Sequence, residues 1–392
     1  IGILYIDYAG IYLYDNPKYR KNYLKYGSFN LMIFGKYKIV NKLPAAFAVI
    51  IASVICLTDT ATSKEFKITA SSSHPPVVPW VAVIKNYVVP EARKRAKALG
   101  HSIKWTEAYA GSLYNFKNTL EGIEDGLGDI GWVGTLWEPN KLPLHNVTFY
   151  LPFVSGNVVA AAEIASDMHR DIPALKKALL KHNQVFLAAQ AIDDYILISK
   201  TPITSVADLK GKKFYAPGAS AQWLKGTGAV AVNGGLPIYY NGIKQGVADG
   251  AIVPGSGIFP FKLHEAAPYI INVGLGGGIT GALTMNKTKF DSLPPEMQKM
   301  FMEVGKGYEI KVAQKTAGFA VKSMKTLIPS KGGKVSKLSM AEQKKWAKGL
   351  PDLAGIWAAQ QAKKGLPGKS VVKYYMEAIR KKGESPIRNW DK

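Results

Sequence analysis

The chain is poor in cysteine. Cys56 is its single cysteine among 392 residues. A disulfide within one chain needs two cysteines, and a thiolate zinc site usually takes two to four. The sequence therefore excludes a disulfide framework and a cysteine-rich metal site, and the part of the chain after residue 56 has no cysteine nucleophile.

The sequence also lacks the short motifs that mark common active sites. It has no complete Gly-x-x-x-x-Gly-Lys-Ser/Thr phosphate loop, no Gly-x-Ser-x-Gly nucleophile elbow and no His-Glu-x-x-His zinc motif. Its six histidines are isolated, without a second histidine or a carboxylate at helical ligand spacing. We therefore predict that the chain is not an enzyme and holds neither a metal nor a cofactor.

Two other features favour a structural interpretation over a chemical one. Asp193 and Asp194 form an adjacent acidic pair, and one such pair is more typical of a hinge than of a catalytic dyad. Residues 274–281 are rich in glycine but lack the strand-then-helix setting of a dinucleotide loop. The glycine-rich segment is predicted to be a turn or a flexible hinge.

Acidic residues are few relative to basic ones. The chain has 51 Lys and Arg against 28 Asp and Glu, a formal net charge of +23. The basic residues are scattered singly or in pairs, with no run of five that would suggest a nucleic-acid-binding arm. This pattern indicates a solvated lysine surface and no nucleic-acid partner, while attraction of anionic solutes or of an anionic membrane is the alternative.

One apolar run stands near the N-terminus. Residues 43–57 are apolar, follow Lys36, Lys38 and Lys42, and precede the small-residue site Ala61-Thr62-Ser63. This order is typical of a secretory signal peptide over residues 32–63, and fifteen residues are short of the roughly 20 that a membrane span needs. We expect residues 1–31 to be a non-native upstream segment and the mature protein to be periplasmic; an uncleaved anchor is the alternative.

From Phe66 onward, strand-like and helix-like segments alternate. Residues 66–70, 102–109, 129–133 and 185–189 predict strands, and the apolar run 147–153 predicts another. Ser205 followed by Asp208 predicts a capped short helix, and Pro294-Pro295 predicts the start of a long one. Apolar and polar residues in this order are typical of an α/β fold with parallel strands.

Two ordered motifs carry a family resemblance. They are Asp-Leu-Lys-Gly-Lys-Lys-Phe-Tyr-Ala-Pro-Gly at 208–218 and Gln-Gly-Val-Ala-Asp-Gly at 245–250, and Gly-Leu-Gly-Asp-Ile-Gly-Trp-Val at 126–133 adds a third string. Together they resemble the DctP-type solute-binding proteins of TRAP transporters. The resemblance implies a two-lobed periplasmic binding protein fold with a hinge and a long helix bracing both lobes. It also implies a small organic solute and TRAP membrane subunits as partners.

The resemblance divides the mature chain into two lobes. Lobe I comprises residues 64–192 with 279–319, and lobe II comprises residues 193–278 with 320–392. We expect the protein to be a monomer whose ligand lies in the cleft between these lobes, since ligands of open α/β sheets sit beyond the carboxyl ends of the strands.

The sequence departs from the family where a carboxylate would be bound. The family's arginine at the end of the strand after Leu-Lys-Gly corresponds to Tyr215, a second arginine falls near Tyr195, and a frequent asparagine corresponds to Val253. A bidentate arginine is the strongest way to bind a carboxylate, whereas aromatic rings suit flat solutes. The residues predicted to contact the ligand are His74, Asn115, Trp132, Thr135, Tyr195, Tyr215, Trp223, Tyr240 and Val253. Ser73, Trp80 and Gly134 are further candidates for the surface of this cleft.

These observations predict an extracytoplasmic receptor for an aromatic or weakly charged organic acid rather than a small dicarboxylate. For His74 an exposed loop position is the alternative, for Trp132 it is core packing of a strand, and for Trp223 it is packing of the lobes. An ABC-type or free-standing periplasmic binding protein would have the same architecture. A secreted α/β enzyme is the third hypothesis, and the absence of nucleophile and metal motifs argues against it.

Overall fold

The structure is a computed structural model that describes residues 64–392 and four short strands before them. These four form two antiparallel hairpins within residues 1–61, which are a unit of their own: β1 (Ile3–Asp7) with β2 (Gly10–Tyr14), and β3 (Lys21–Tyr26) with β4 (Phe29–Phe34). The predicted signal peptide beyond Phe34, and its cleavage site, lie outside the described residues.

Residues 62–392 form the second unit, which contains two sheets. The first sheet has the order β6-β5-β7-β14-β8, in which β5 pairs in parallel with β6 and β7, and β14 is antiparallel to β7 and β8. Its strands are β5 (Glu65–Ser71), β6 (Ser102–Ala108), β7 (Ile130–Val133), β8 (Gln184–Ile192) and β14 (Gly278–Asn286).

The second sheet has the order β11-β10-β12-β9-β13-β15. Its strands are β9 (Tyr195–Ser199), β10 (Lys213–Tyr215), β11 (Val230–Val232), β12 (Gly250–Pro254), β13 (Tyr269–Asn272) and β15 (Lys334–Lys337). Strand β10 is parallel to β11 and β12, as the sequence predicts, and β9 is antiparallel to β12 and β13. The chain passes from one sheet to the other at Asp193-Asp194 and returns through the glycine turn before β14.

Helices cover these sheets. The α-helices are α1 (Pro79–Val83), α2 (Val89–Ala98), α3 (Thr119–Glu124), α4 (Val158–Asp171), α5 (Pro173–Lys181), α6 (Leu236–Lys244), α7 (Gly255–Ile258), α8 (Leu263–Ala266), α9 (Lys287–Asp291), α10 (Pro295–Lys322), α11 (Met340–Gly349), α12 (Leu353–Lys363) and α13 (Gly368–Lys381). Short 3₁₀ segments are Phe116–Asn118, Thr135–Trp137, Pro143–Tyr150, Val206–Leu209, Gly218–Leu224 and Pro329–Lys331. Within residues 64–392, no helix combines the length and hydropathy that a membrane span requires.

Several elements differ from the sequence-based expectation. The apolar run 147–153 was predicted to be a strand, but the 3₁₀ helix Pro143–Tyr150 covers most of it. A short apolar run does not distinguish a buried strand from a buried helix, and this helix buries seven of its eight residues. The predicted break at Pro90 is a π-helical turn, Ile84–Val88, because proline has no N–H and its ring clashes with the carbonyl four residues earlier.

The long helix α10 braces both parts of the molecule. It packs against β8 of the first sheet and against α7, which follows β12 of the second sheet. The Tyr308 hydroxyl donates to the carbonyl oxygen of Trp80 at 3.1 Å, which ties α10 to the helix beside the cavity described below. The 28-residue length of α10 gives about 42 Å at 1.5 Å per residue, enough to span two lobes.

The strands of the two sheets follow the predicted lobes, but the C-terminal segment makes contacts with both. Helix α11 packs against the 3₁₀ helix Val206–Leu209, whereas α13 packs against α4. The indole N–H of Trp390 donates to the carbonyl oxygen of Pro152 at 2.6 Å. Residues after α11 therefore lie mainly on elements assigned to lobe I, although they were predicted to belong to lobe II; the lobe boundaries themselves remain a prediction.

Candidate functional site

An apolar cavity lies where the ends of strands from both sheets meet. The carboxyl ends of β5, β7 and β8 contribute from the first sheet, and those of β10 and β12 from the second. This is the edge at which open α/β sheets hold their ligands. The empty space of the cavity, counted together with open solvent at its mouth, is about 410 Å³. It is lined by His74, Trp80, Trp132, Leu136, Trp137, Gln190, Ile192, Tyr195, Pro217, Leu236, Tyr239, Ile252, Pro254 and Thr280.

One wall of the cavity is a cluster of four rings, the imidazole of His74 and three indoles packed against it. The imidazole stacks on Trp137 with centroids 5.8 Å apart and planes 15° apart. Trp132 meets the imidazole edge to face at 5.1 Å, and Trp80 does so at 5.7 Å. Such arrangements are the preferred geometries of aromatic pairs, so the wall is a defined surface against which a flat solute can lie.

His74 is held in place by the loop that follows β5. Its Nδ1 lies 3.0 Å from the hydroxyl oxygen of Ser73, and its backbone N–H donates to the hydroxyl of Ser72 at 3.1 Å. The side chain is buried, and burial lowers its pKa to about 3. The imidazole is therefore neutral at neutral pH, and its second nitrogen, Nε2, has no hydrogen bond to any of residues 64–392.

A buried polar network at the cavity joins the neighbouring strands β7, β14 and β8 of the first sheet. The Gln190 carbonyl oxygen accepts from the Trp132 indole N–H at 3.0 Å and from the Thr280 hydroxyl at 2.6 Å. Its amide group donates to the carbonyl oxygen of Ala191 at 2.6 Å. Because its members are satisfied by one another, this network fixes the orientation of the Trp132 ring rather than offering free groups to a ligand.

Other polar groups at the cavity have no partner. The indole nitrogens of Trp80 and Trp137 are buried without a hydrogen bond among the described residues. A buried N–H without a partner costs free energy, on the order of 1–3 kcal/mol. No Arg, Lys, Asp or Glu of residues 64–392 lines the cavity. The site therefore offers neutral donors and rings, and no fixed charge.

The second sheet supplies the opposite wall. Tyr195 begins β9 and Tyr239 lies in α6, and both line the cavity. Behind them, the ring of Tyr215 stacks on Tyr239 at 4.8 Å, and Trp223 meets Tyr195 edge to face at 5.0 Å. The two lining tyrosines are thus held by an outer layer of aromatic side chains.

Of the nine predicted contact residues, the structure places His74, Trp132 and Tyr195 on the cavity surface. The others do not line this cavity. Asn115 is exposed and caps the 3₁₀ helix Phe116–Asn118, and Thr135 is buried. Tyr215 and Trp223 lie in the outer layer, Tyr240 is half-buried on α6, and Val253 is buried in β12 between two lining residues. Neighbouring side chains of a strand point to opposite faces, which explains why Val253 turns away while Ile252 and Pro254 turn inward.

A family model described as "Bacterial extracellular solute-binding protein, family 7", DctP, matches residues 92–360. The chain belongs to this family. The resemblance of the two motifs is thereby confirmed, and the family consists of solute receptors rather than enzymes. The architecture of two sheets and a bracing helix is the two-lobed fold of TRAP solute-binding proteins.

Solved structures of similar proteins agree with this assignment. A TRAP solute-binding protein from a marine metagenome, specific for aromatic acid ligands and bound to 3-hydroxybenzoate, has 26% identity and a TM-score of 0.71, covering 81% of this chain and 99% of that one. A TRAP protein from Rhodoferax ferrireducens with copurified benzoate has 20% identity and a TM-score of 0.71, covering 81% and 98%. One from Bordetella bronchiseptica with bound mandelate has 20% identity and a TM-score of 0.69, covering 81% and 99%.

Sequence reasoning missed Trp137, Gln190 and Tyr239 in this DctP-family site. Trp137 follows β7 in the segment Gly134-Thr135-Leu136-Trp137, so a closer reading of that strand end could have found it. Gln190 is a polar residue in an apolar strand, which is a usable signal because buried polar groups need partners. Tyr239 gave no signal, since its place in the cavity depends on how α6 packs against Tyr215.

Proposed function

We propose that this receptor binds a small aromatic solute carrying at most one carboxylate. The observation that supports this ligand class best is the composition of the cavity. It has a wall of rings around His74, and within residues 64–392 no arginine or lysine lines it. A dicarboxylate would bring two charges into an apolar space without a fixed cation to pair with them, which is costly.

Three of the structural relatives support the same class. The proteins from the marine metagenome, R. ferrireducens and B. bronchiseptica hold 3-hydroxybenzoate, benzoate and mandelate respectively. Each of these ligands is a ring with one carboxylate. We infer that the present receptor takes a solute of this kind, with the ring beside His74, Trp132 and Trp137.

Close contacts across the cleft support binding by closure. A Cβ atom on Gly218 would lie 2.1 Å from the carbonyl oxygen of Leu136, and one on Gly235 would lie 3.0 Å from the Phe116 ring. Loops that follow strands of different sheets therefore touch at the rim of the cavity. We propose that a solute enters when these contacts open and is shielded from water when they form again.

The family match supports a proposal for the partners and the location. We propose that the receptor is exported by the signal peptide of residues 32–63 and works in the periplasm. It would deliver its solute to a membrane carrier of the TRAP type. The matched family and the TRAP relatives favour this carrier over an ABC-type one.

Calorimetric titration tests the ligand class. We expect benzoate or 3-hydroxybenzoate to bind, and succinate and malate to bind at least tenfold more weakly. Saturation by a ligand should also raise the melting temperature, since a ligand at 100 times its dissociation constant adds about 2.7 kcal/mol. Micromolar binding of succinate with no response to aromatic acids would contradict the proposed ligand class.

A further inference from the structure

Among residues 64–392, no charged side chain lines the cavity to pair with an acid, and two indole N–H groups of its lining, those of Trp80 and Trp137, have no hydrogen-bond partner. The third group is the His74 imidazole, whose Nδ1 contacts Ser73 and whose Nε2 makes no hydrogen bond to these residues. The two indole rings lie 5.7 and 5.8 Å from the imidazole, measured between centroids. A carboxylate among these three groups would have hydrogen-bond donors but no countercharge.

An ionised carboxylate without a countercharge is unstable in such a space. Moving an unpaired ion out of water costs so much that the group usually changes its protonation state instead. Since no Arg or Lys lines the cavity within residues 64–392, a proton is the simplest source of positive charge. This proton could bind either to the ligand carboxylate or to a side chain of the cavity.

The surroundings of His74 suit both protonation states. In the neutral imidazole, the Ser73 hydroxyl donates to Nδ1; in the protonated imidazole, the same hydroxyl accepts from Nδ1–H. The 3.0 Å contact therefore survives protonation, and Nε2–H has no partner among residues 64–392 that a ligand would have to displace. Burial keeps the pKa of the empty site near 3, and an adjacent carboxylate would raise it.

The other titratable groups near His74 do not replace it. Tyr195 of β9 and Tyr239 of α6 face the cavity, but burial raises the pKa of each phenol, so both stay neutral. Asp193 lies outside the cavity lining and binds Ser256. Lys117 lines an outer groove on the other side of Trp137 and not the cavity itself.

We propose that an aromatic monoacid binds with its carboxylate accepting from His74 Nε2–H and from the indole N–H groups of Trp80 and Trp137, and that His74 takes up one proton on binding. The inference rests on the proposed function. The proton comes from the buffer acid and binds to the imidazole, while the ligand stays ionised. The cavity thus gains an ion pair whose net charge is zero.

Proton uptake can be measured by calorimetry. Benzoate is titrated into the receptor at pH 7.5 in phosphate, HEPES and Tris, whose ionisation enthalpies differ widely. The observed enthalpy should rise with the buffer's ionisation enthalpy with a slope close to one proton. With benzamide, which has the same ring but no charge, the slope should be close to zero. A zero slope for tightly bound benzoate would overturn the proposal.

Variants assign the proton to a residue. His74→Gln should abolish the benzoate slope and weaken benzoate more than benzamide. His101→Gln removes an imidazole outside the cavity that is paired with Glu296, and it should change neither. A slope that persists in His74→Gln with undiminished affinity would place the proton on the ligand and overturn the assignment to His74. If no aromatic compound binds the wild-type receptor, the proposed function fails instead.

The indole donors have a matched control. Trp80→Phe removes a cavity N–H, while Trp105→Phe removes a buried N–H that is equally unpartnered but lies outside the cavity. A hydrogen bond to a charged group contributes about 1.5–3 kcal/mol, so Trp80→Phe should weaken benzoate about tenfold or more. Trp105→Phe should leave the affinity unchanged. Equal affinities of the two variants would exclude Trp80 as a carboxylate donor.

Discussion

The ring of Tyr215 lies against the ring of Tyr239, with centroids 4.8 Å apart and planes 16° apart. Tyr239 lines the cavity and Tyr215 does not. Position 215, which the sequence predicts to correspond to the family's carboxylate-binding arginine, therefore carries a side chain that supports the wall of the cavity.

Substitutions at Tyr215 separate support from direct contact. Tyr215→Phe keeps the stacked ring, so we expect the dissociation constant of an aromatic acid to stay within about twofold, which is under 0.5 kcal/mol. Tyr215→Ala removes the ring and leaves a void beside Tyr239; large-to-small changes of this kind cost about 3–5 kcal/mol of stability. Titration calorimetry and urea unfolding of both variants give the two readouts. A tenfold loss of affinity in Tyr215→Phe would show that the hydroxyl touches the ligand.

Trp223 is a structural residue whose substitution should affect stability and not binding. Its indole N–H donates to the carbonyl oxygen of Phe149 at 2.6 Å, and its own carbonyl accepts from Trp346 at 2.8 Å. Trp223→Phe leaves the Phe149 carbonyl without this donor, at a cost of about 1–3 kcal/mol. The free energy of unfolding should fall by that amount while the affinity for benzoate is kept. A loss of affinity at unchanged stability would place Trp223 in the site.

The crossing between the sheets contains a carboxyl group with a raised pKa. Asp193 is buried, and burial raises its pKa to about 7, although it accepts from the Ser256 backbone N–H at 2.9 Å and from the Ser256 hydroxyl at 2.5 Å. Between pH 4 and 7 the folded protein therefore binds a proton that the unfolded chain has released. The contribution of Asp193 to stability accordingly falls as the pH rises through this window.

Removal of this carboxyl group should remove that part of the pH dependence. The stability of the wild type minus that of Asp193→Asn should fall by roughly 3 kcal/mol between pH 5 and 7.5, at 1.36 kcal/mol per pKa unit. Urea unfolding at several pH values measures it. Asp208→Asn is the control, because hydrogen bonds from Thr204 and Ser205 lower the pKa of Asp208 and it titrates below this range. A difference that rises with pH would contradict the assignment.

The sequence predicted the features of this fold that depend on local chemistry. Ser205 and Asp208 form the expected capping box, since both side chains bind the backbone of the first turn. The parallel strands around the Leu-Lys-Gly motif and the long helix after Pro294 also occur as expected, because their turn residues and apolar spacing act within a few residues. The family was identified in the same way, because each of its motifs is a short local string and the motifs occur in the expected order.

The candidate site was less predictable because it depends on distant packing. His74 follows β5, and Trp132 lies near the end of the adjacent parallel strand β7, so their meeting at one edge could be anticipated from the strand ends. Whether Tyr215 turns toward the cavity or away from it is decided by Tyr239, which belongs to a different element. No local pattern contains that information, and ring size alone does not distinguish a lining residue from a supporting one.

Gly134 lies close to the indoles of Trp132 and Trp137, which form part of the cavity wall. Gly134 follows β7 with φ −81° and ψ 90°, a conformation that alanine adopts without strain. A Cβ atom there would lie 2.4 Å from the Trp137 ring and 2.9 Å from the Trp132 ring. Gly134→Ala should therefore displace both indoles from their present positions in the cavity wall. Overpacking costs about 1–3 kcal/mol, so we expect the affinity for benzoate to fall about tenfold or more.

Gly318→Ala is the matched control for this substitution. Gly318 lies in α10, and a Cβ atom there would meet nothing within 4 Å, so the change should stabilise the helix by up to about 1 kcal/mol without altering the affinity. Calorimetry on the two variants, together with their tryptophan fluorescence, measures the effect. Unchanged affinity in Gly134→Ala, with a fluorescence spectrum showing that the indoles have moved, would mean that the ligand does not rest on this wall.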